Sequence, residues 1–204
     1  LDRVSLDAYN TLVMVSGRYS LSEKFSKALS DWVSKGNTLI TIGTGSSWAV
    51  NTKFVKEKLI KVVSDSTTLT SRKPYVDAGE NIGREALGGV FLKGDMDLSH
   101  PLGFGYDQSR VALYKNNEVW LAPSKSAYGT VIDYAEKPHL DGYISEKNQR
   151  EFLPKSASLI VSPKGMGRVI MFADNPNFRG IHYGMNRLFL NAIFLGNHIE
   201  VPSE

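Results

Sequence analysis

The sequence predicts an open α/β sheet carrying an antiparallel edge, and three observations predict it. Two short, almost wholly apolar runs near the N-terminus are separated by one amphipathic helix pattern. A glycine-bearing turn follows the second run, where α/β sheets place their ligand sites. From about residue 90 onward, short strand-like runs with Pro-, Gly- or Asn-rich turns take over.

Residues 11–16 (TLVMVS) and 38–42 (TLITI) are the two apolar runs. Continuous β-branched runs of this length suit strands buried on both faces. Between them Phe25, Leu29, Trp32 and Val33 recur at i, i+4, i+7 and i+8, with Ala28 beside them, which makes one apolar helix stripe. Ser20 and Glu23 have capping-box spacing, and Gly36 stands where a helix commonly ends. Strand, helix, strand is a βαβ unit with a right-handed crossover. Gly43-Thr44-Gly45-Ser46-Ser47 then opens a second helix, expected to run through Trp48, Val55 and Leu59. Residues 64–89, with Pro74 and four glycines (Gly79, Gly83, Gly88, Gly89), read as a long polar excursion with little regular structure. Strand-like runs follow at 90–93, 111–114, 119–122 and 130–134. The runs 157–162 and 168–173 flank Pro163-Lys164-Gly165-Met166-Gly167 as a hairpin. A strongly apolar helix over 185–195, stopped by Gly196, is the last element. Its Leu188–Leu195 stripe fits either a sheet-covering helix or an interface.

The 204 residues suffice for one large domain or one domain with an insertion. A hydrophobic content of 42% and a charged content of 22% are globular values, which excludes a disordered chain. A net charge of +3 over this length gives no electrostatic case for a nucleic-acid partner. Cysteine is absent, which excludes disulfides, thiolate metal sites and a thiol nucleophile on this chain. No apolar run approaches the ~18 residues that a membrane helix needs. Leu1 and a start without a signal pattern read as a piece of a longer protein or a processed form.

The βαβ unit with its glycine turn resembles the class I glutamine amidotransferase-like fold. Ser16-Gly17-Arg18 matches that superfamily's glycine-bearing loop, and Ile42-Gly43-Thr44-Gly45 matches its nucleophile elbow, typically Gly-x-Cys-x-Gly. With Gly45 as the second elbow glycine, Gly43 stands where the cysteine belongs. Asp174-Asn175-Pro176 follows the strand after which a catalytic His-x-Glu would lie. More specifically, residues 94–106 (GDMDLSHPLGFGY), 142–145 (GYIS), 167–180 (GRVIMFADNPNFRG) and 191–194 (NAIF) are similar to the C-terminal amidotransferase-like domain of certain bacterial zinc carboxypeptidases. The resemblance spans about residues 9–196. It implies a single domain over 1–204, with a three-layer, flavodoxin-like, mostly parallel sheet and an antiparallel edge or hairpin insertion. It also implies a zinc-holding peptidase domain upstream as a partner in cis, and an extracytoplasmic location. None of His100, His139, His182 or His198 is followed three residues later by Glu, so the zinc belongs to the parent's peptidase domain and no cofactor is expected on this chain.

The candidate ligand crevice comprises Gly17, Arg18, Gly43, Thr44, Gly45, Ser46, Asp174, Asn175 and Arg179, because loops at the carboxyl ends of strands face one cleft. Arg18 and Arg179 could clamp a carboxylate; alternatively a buried network fixes these loops, with Arg179 paired to Asp174. Tyr19, Trp48 and Tyr183 line the cleft, or belong to core and rim. Gly43-x-Gly45 also begins a dinucleotide fingerprint, but Trp48 stands at the third glycine and the nearest acid to the ribose position is Asp65. Thr44, Ser46 or Ser47 could replace the missing nucleophile, with His100 or His182 as base; hydroxyls at a helix start are otherwise N-caps. Asp95, Asp97 and His100 have a metal-like look, against solvated or turn-capping acids and a histidine donating a structural hydrogen bond. Three functions follow: a non-catalytic accessory domain for a zinc carboxypeptidase, a hydrolase with a Ser/Thr nucleophile, or a module binding a small anion, peptide or sugar.

Overall fold

A computed structural model describes residues 4–60, 72, 74–200 and 202. Seven strands form one open sheet in the order β1-β2-β7-β6-β5-β3-β4. They are β1 (Thr11–Met14), β2 (Thr38–Ile42), β3 (Val90–Met96), β4 (Arg110–Lys115), β5 (Thr130–Gly142), β6 (Ala157–Lys164) and β7 (Gly167–Phe172). Among the described residues four α-helices accompany them: α1 (Glu23–Ser34), α2 (Thr44–Asn51), α3 (Ala78–Glu85) and α4 (Tyr183–Leu195). The open α/β class is as expected. The sheet is parallel across β1, β2 and β7 and antiparallel at every pairing from β7 to β4, so the antiparallel part is a wing rather than an edge.

Alternation along the central strands builds three layers. Leu39, Val169 and Met171 pack on the α1 side with Phe25, Leu29, Trp32 and Val33. Ile40, Ile42, Ile170 and Phe172 pack on the α4 side with Met185, Leu188 and Ala192. All five residues of β2 and all six of β7 are buried, which is why both strands are predominantly apolar, with Thr38, Thr41 and Arg168 the buried polar exceptions. Gly167, at the start of β7, is a backbone contact: a Cβ there would lie 1.8 Å from the Val33 carbonyl oxygen and 2.4 Å from that of Asn37.

Several expectations need correction. The cap of α1 is Ser22, whose hydroxyl accepts from the Phe25 amide at 3.1 Å, not Ser20. Helix α2 ends at Asn51 instead of continuing to Leu59, because Lys53 turns the chain at φ 58° and Phe54 folds back against Trp48. Within the excursion at 64–89, residues 64–71 and 73 lie outside the described residues, and so does Asp65. The remainder is ordered into a 3-10 turn (Tyr75–Asp77) and α3. The glycines of α3 hide it from propensity, and tertiary bonds compensate. The Arg84 and Glu85 carbonyls accept from Tyr143 Oη and Asn148 Nδ2 at 3.0 Å each. Residues 119–122 join the sheet only through an isolated bridge at Leu121, while β5 runs on to Gly142 past Pro138. Tyr134 pairs with Gly94 and His139 with Leu92, so 135–138 form a bulge where a proline breaks no ladder bond. Among the described residues no helix is long and apolar enough to cross a membrane.

Candidate functional site

The carboxyl ends of β1, β2 and β7 share one end of the sheet. The β2–α2 junction is a sharp elbow: Gly43 sits at φ 54°, ψ −117°, and its amide donates to the Phe172 carbonyl at 2.9 Å. A positive φ is open to glycine and costly for other residues. A Cβ at Gly43 would lie 2.2 Å from Ser16 Oγ, which occupies the space and donates to the Ile42 carbonyl at 3.2 Å. At Gly45 a Cβ would fall 2.7 Å from the Met14 carbonyl oxygen, so the elbow presses directly on the end of β1.

The elbow hydroxyls are engaged. Thr44 Oγ1 accepts from the Gly17 amide at 2.8 Å and donates to the Gly17 carbonyl at 2.9 Å, clasping the two loops. Ser46 is fully buried, with its hydroxyl donating to the Phe172 carbonyl and meeting Thr41 Oγ1, both at 2.9 Å. Among the described residues no imidazole is hydrogen-bonded to either hydroxyl. His100 follows β3, which runs antiparallel to β5 and so ends at the opposite end of the sheet from the elbow. His182 lies edge-on to the Phe91 ring, 5.6 Å away between centroids.

Asp174, two residues after the end of β7, is fully buried and bonded on both oxygens. Ser158 Oγ and Tyr134 Oη donate to Oδ2 at 2.6 and 2.7 Å, and Lys115 Nζ donates to Oδ1 at 3.1 Å. Lys115 is itself fully buried, at the end of β4. It also donates to the Val119 carbonyl at 2.7 Å and lies 4.4 Å from the centre of the Trp120 ring. Burial pushes the Lys115 ammonium below its ordinary pKa while Asp174 pulls it back up. Burial, reinforced by the neighbouring Asp174 charge, pushes the Tyr134 phenol well up. Asn117 closes the layer: Nδ2 donates to the Ala173 carbonyl at 3.0 Å and Oδ1 accepts from the Val119 amide at 2.9 Å. A network therefore does fix these loops, but its cation is Lys115, not Arg179.

The structure thus brings Gly17, Gly43, Thr44, Gly45 and Ser46 together and sets Asp174 behind them. Arg18 is exposed on the rim. Asn175 Oδ1 accepts from the Asn177 amide at 3.0 Å, and Arg179 is exposed over the Phe178 ring. Tyr19 and Trp48 pack on the α1-side core, and Tyr183 is exposed on α4. The metal-like group disperses. Asp95 pairs with Arg110 at 3.5 Å, and Asp97 accepts from the Ser99 amide and hydroxyl. His100 Nδ1 accepts from the Leu102 amide at 3.1 Å, where a donor was expected. No cluster of three or more potential ligands occurs among the described residues. Sequence reasoning missed Lys115, Tyr134, Ser158 and Asn117. One signal was available for Lys115: Val111, Leu113 and Lys115 alternate inward along β4.

No protein-family model and no curated protein matches the sequence. Solved structures do match in fold. A ThuA-like protein from Parabacteroides merdae superposes with a TM-score of 0.58 at 12% identity, covering 98% of this chain and 75% of that one. PurLQS from Thermotoga maritima gives 0.51 at 12% identity, covering 93% of this chain and 81% of that one. A GMP synthase component from Thermoplasma acidophilum gives 0.50 at 13% identity, covering 92% and 73%. The chain has a glutamine amidotransferase-like, flavodoxin-like fold. Identities this low speak for the fold alone.

Proposed function

We propose that this is a non-catalytic amidotransferase-like domain, acting as an accessory to an extracytoplasmic zinc carboxypeptidase. The carrying observation is Gly43. It holds the strained conformation of a nucleophile elbow and offers no side chain, while Ser16 Oγ fills the space a Cβ would take. The acidic position supports the same reading, because Asp174 has both oxygens committed to buried donors and none left for a substrate. Acyl transfer needs a nucleophile within hydrogen-bond reach of a base. The elbow hydroxyls contact backbone and each other instead. The carboxypeptidase context, with zinc on an upstream peptidase domain, rests on the sequence resemblance over residues 94–194. Packing on that domain, or presenting Arg18 beside Gly17 to a peptide carboxylate or a sugar, are the roles it leaves open.

The test is turnover. The chain is expected to show no glutaminase, esterase or peptidase activity and no labelling by a fluorophosphonate. Turnover abolished by Ser46→Ala or Thr44→Ala would establish the hydrolase reading instead. Thermal-shift titration with peptides and sugars separates a binding role from a packing role, since a ligand of the native state raises Tm.

A further inference from the structure

The outward face of α4 is apolar. Tyr183, Arg187, Leu190 and Phe194 follow one another at i, i+4, i+7 and i+11, on the side opposite the buried Met185, Leu188 and Ala192. A helix covering one face of a sheet normally turns charge to water. Here Tyr183 is 79% exposed, Leu190 49% and Phe194 72%, and the flanking Ile181 and Phe104 are 67% and 72% exposed. Phe104 is held beside the helix, because Asn191 Nδ2 donates to its carbonyl at 2.9 Å. The one charged residue of the stripe is turned aside. The Arg187 guanidinium lies over the Tyr106 ring and donates to the Gly105 carbonyl, which leaves its aliphatic stem in the row.

We infer that α4 is the interface of a two-fold symmetric homodimer, with the stripes of two copies packed antiparallel. Three arguments select a second copy as the occupant. The first is spacing. The steps of four, three and four residues read the same in both directions, so an antiparallel partner sets Tyr183 against Phe194 and the Arg187 stem against Leu190, twice over. This is the self-complementarity an isologous contact requires. The second is charge. The stripe carries one ion, the Arg187 guanidinium, and it is turned onto the Tyr106 ring and the Gly105 carbonyl, so the row itself presents apolar surface that the same face on another copy matches. The third is area. With aromatic side chains of ~150–250 Å² each, the five exposed residues leave roughly 600 Å² of apolar surface, at the top of the range for a monomer's largest patch. Two copies together would bury about 1,200 Å², which reaches the size of a specific interface.

Sedimentation velocity of the full chain through a micromolar dilution series tests this. The expected species has twice the 22.6 kDa mass of the chain. Phe194→Glu and Leu190→Glu should each weaken association about thirtyfold or more, as loss of a buried apolar anchor does. At dilutions where the parent is itself monomeric, their unfolding midpoints should match the parent's, because both residues are exposed in the single chain. A chain monomeric throughout, or a dimer that survives both variants, overturns the inference. The absence of native cysteine allows a register test. The double variant Tyr183→Cys/Phe194→Cys should form a covalent dimer with a short bis-maleimide, and neither single variant should. Efficient linkage through Phe194→Cys alone would mean parallel helices and would overturn the antiparallel packing.

Discussion

Gly43 and Asp174 stand at the same end of the sheet, on neighbouring strands joined by the bond from the Gly43 amide to the Phe172 carbonyl. They are occupied in opposite ways. At Gly43 the backbone keeps an unusual conformation and the side chain is missing. At Asp174 the side chain is present, charged and enclosed by three donors. The difference is one of energetic scale. An elbow without a side chain needs only glycine and a small neighbour. A buried carboxylate must be balanced by a cation, and Lys115 comes from the far edge of the sheet to do it.

The largest effect should come from breaking the ion pair. Lys115→Met leaves Asp174 buried and uncompensated, and urea unfolding should report a loss of about 3–5 kcal/mol. Adding Asp174→Asn removes the stranded charge and keeps an acceptor for Tyr134 and Ser158, so the double variant should be more stable than the single one. If the single variant is as stable as the parent, the pair is not the structural element described.

At the elbow the expected cost is smaller. Gly43→Cys restores a thiol at φ 54° and displaces Ser16 Oγ, which can rotate away by giving up its bond to Ile42. A loss of about 1–3 kcal/mol is expected from the backbone conformation, with no gain of glutaminase activity. A gain would mean that the remaining machinery is intact after all. Ser46→Ala deletes two buried hydrogen bonds and should cost about 1–2 kcal/mol without altering any turnover.

The smallest effect is a pH dependence. Burial holds His100 and His182 below the ordinary histidine pKa, so the unfolded chain binds their protons more readily than the folded one. Stability should therefore fall as the pH drops through the unfolded value of about 6.5. His100 Nδ1 must stay unprotonated to accept from the Leu102 amide. Replacing it as His100→Asn should flatten the slope between neutral and mildly acid pH in thermal melts.

Legibility in the sequence followed the range of the physics. β1, β2, α1 and the β6–β7 hairpin were readable because burial on one or both faces prints a period into consecutive residues. The elbow was readable because a glycine pair after a buried strand is a local signal. α3 was not, since bonds from Tyr143 and Asn148 hold its last turn. Nor was the end of β5, where charged residues and Pro138 mask a bulged strand. In the site, Asp174 was noticed and its partner was not. The contact spans 59 residues, and Lys115-Asn116-Asn117 looks like a solvated turn.

That span has a consequence for which strand registers the chain tolerates. In the native sheet Lys115 meets Asp174 across four pairings, β4 with β3, β3 with β5, β5 with β6 and β6 with β7. A slip of one residue anywhere in that series turns the lysine to the other face, abandoning a carboxylate in the interior. The ion pair thus favours the one sheet in which four separate strand alignments agree.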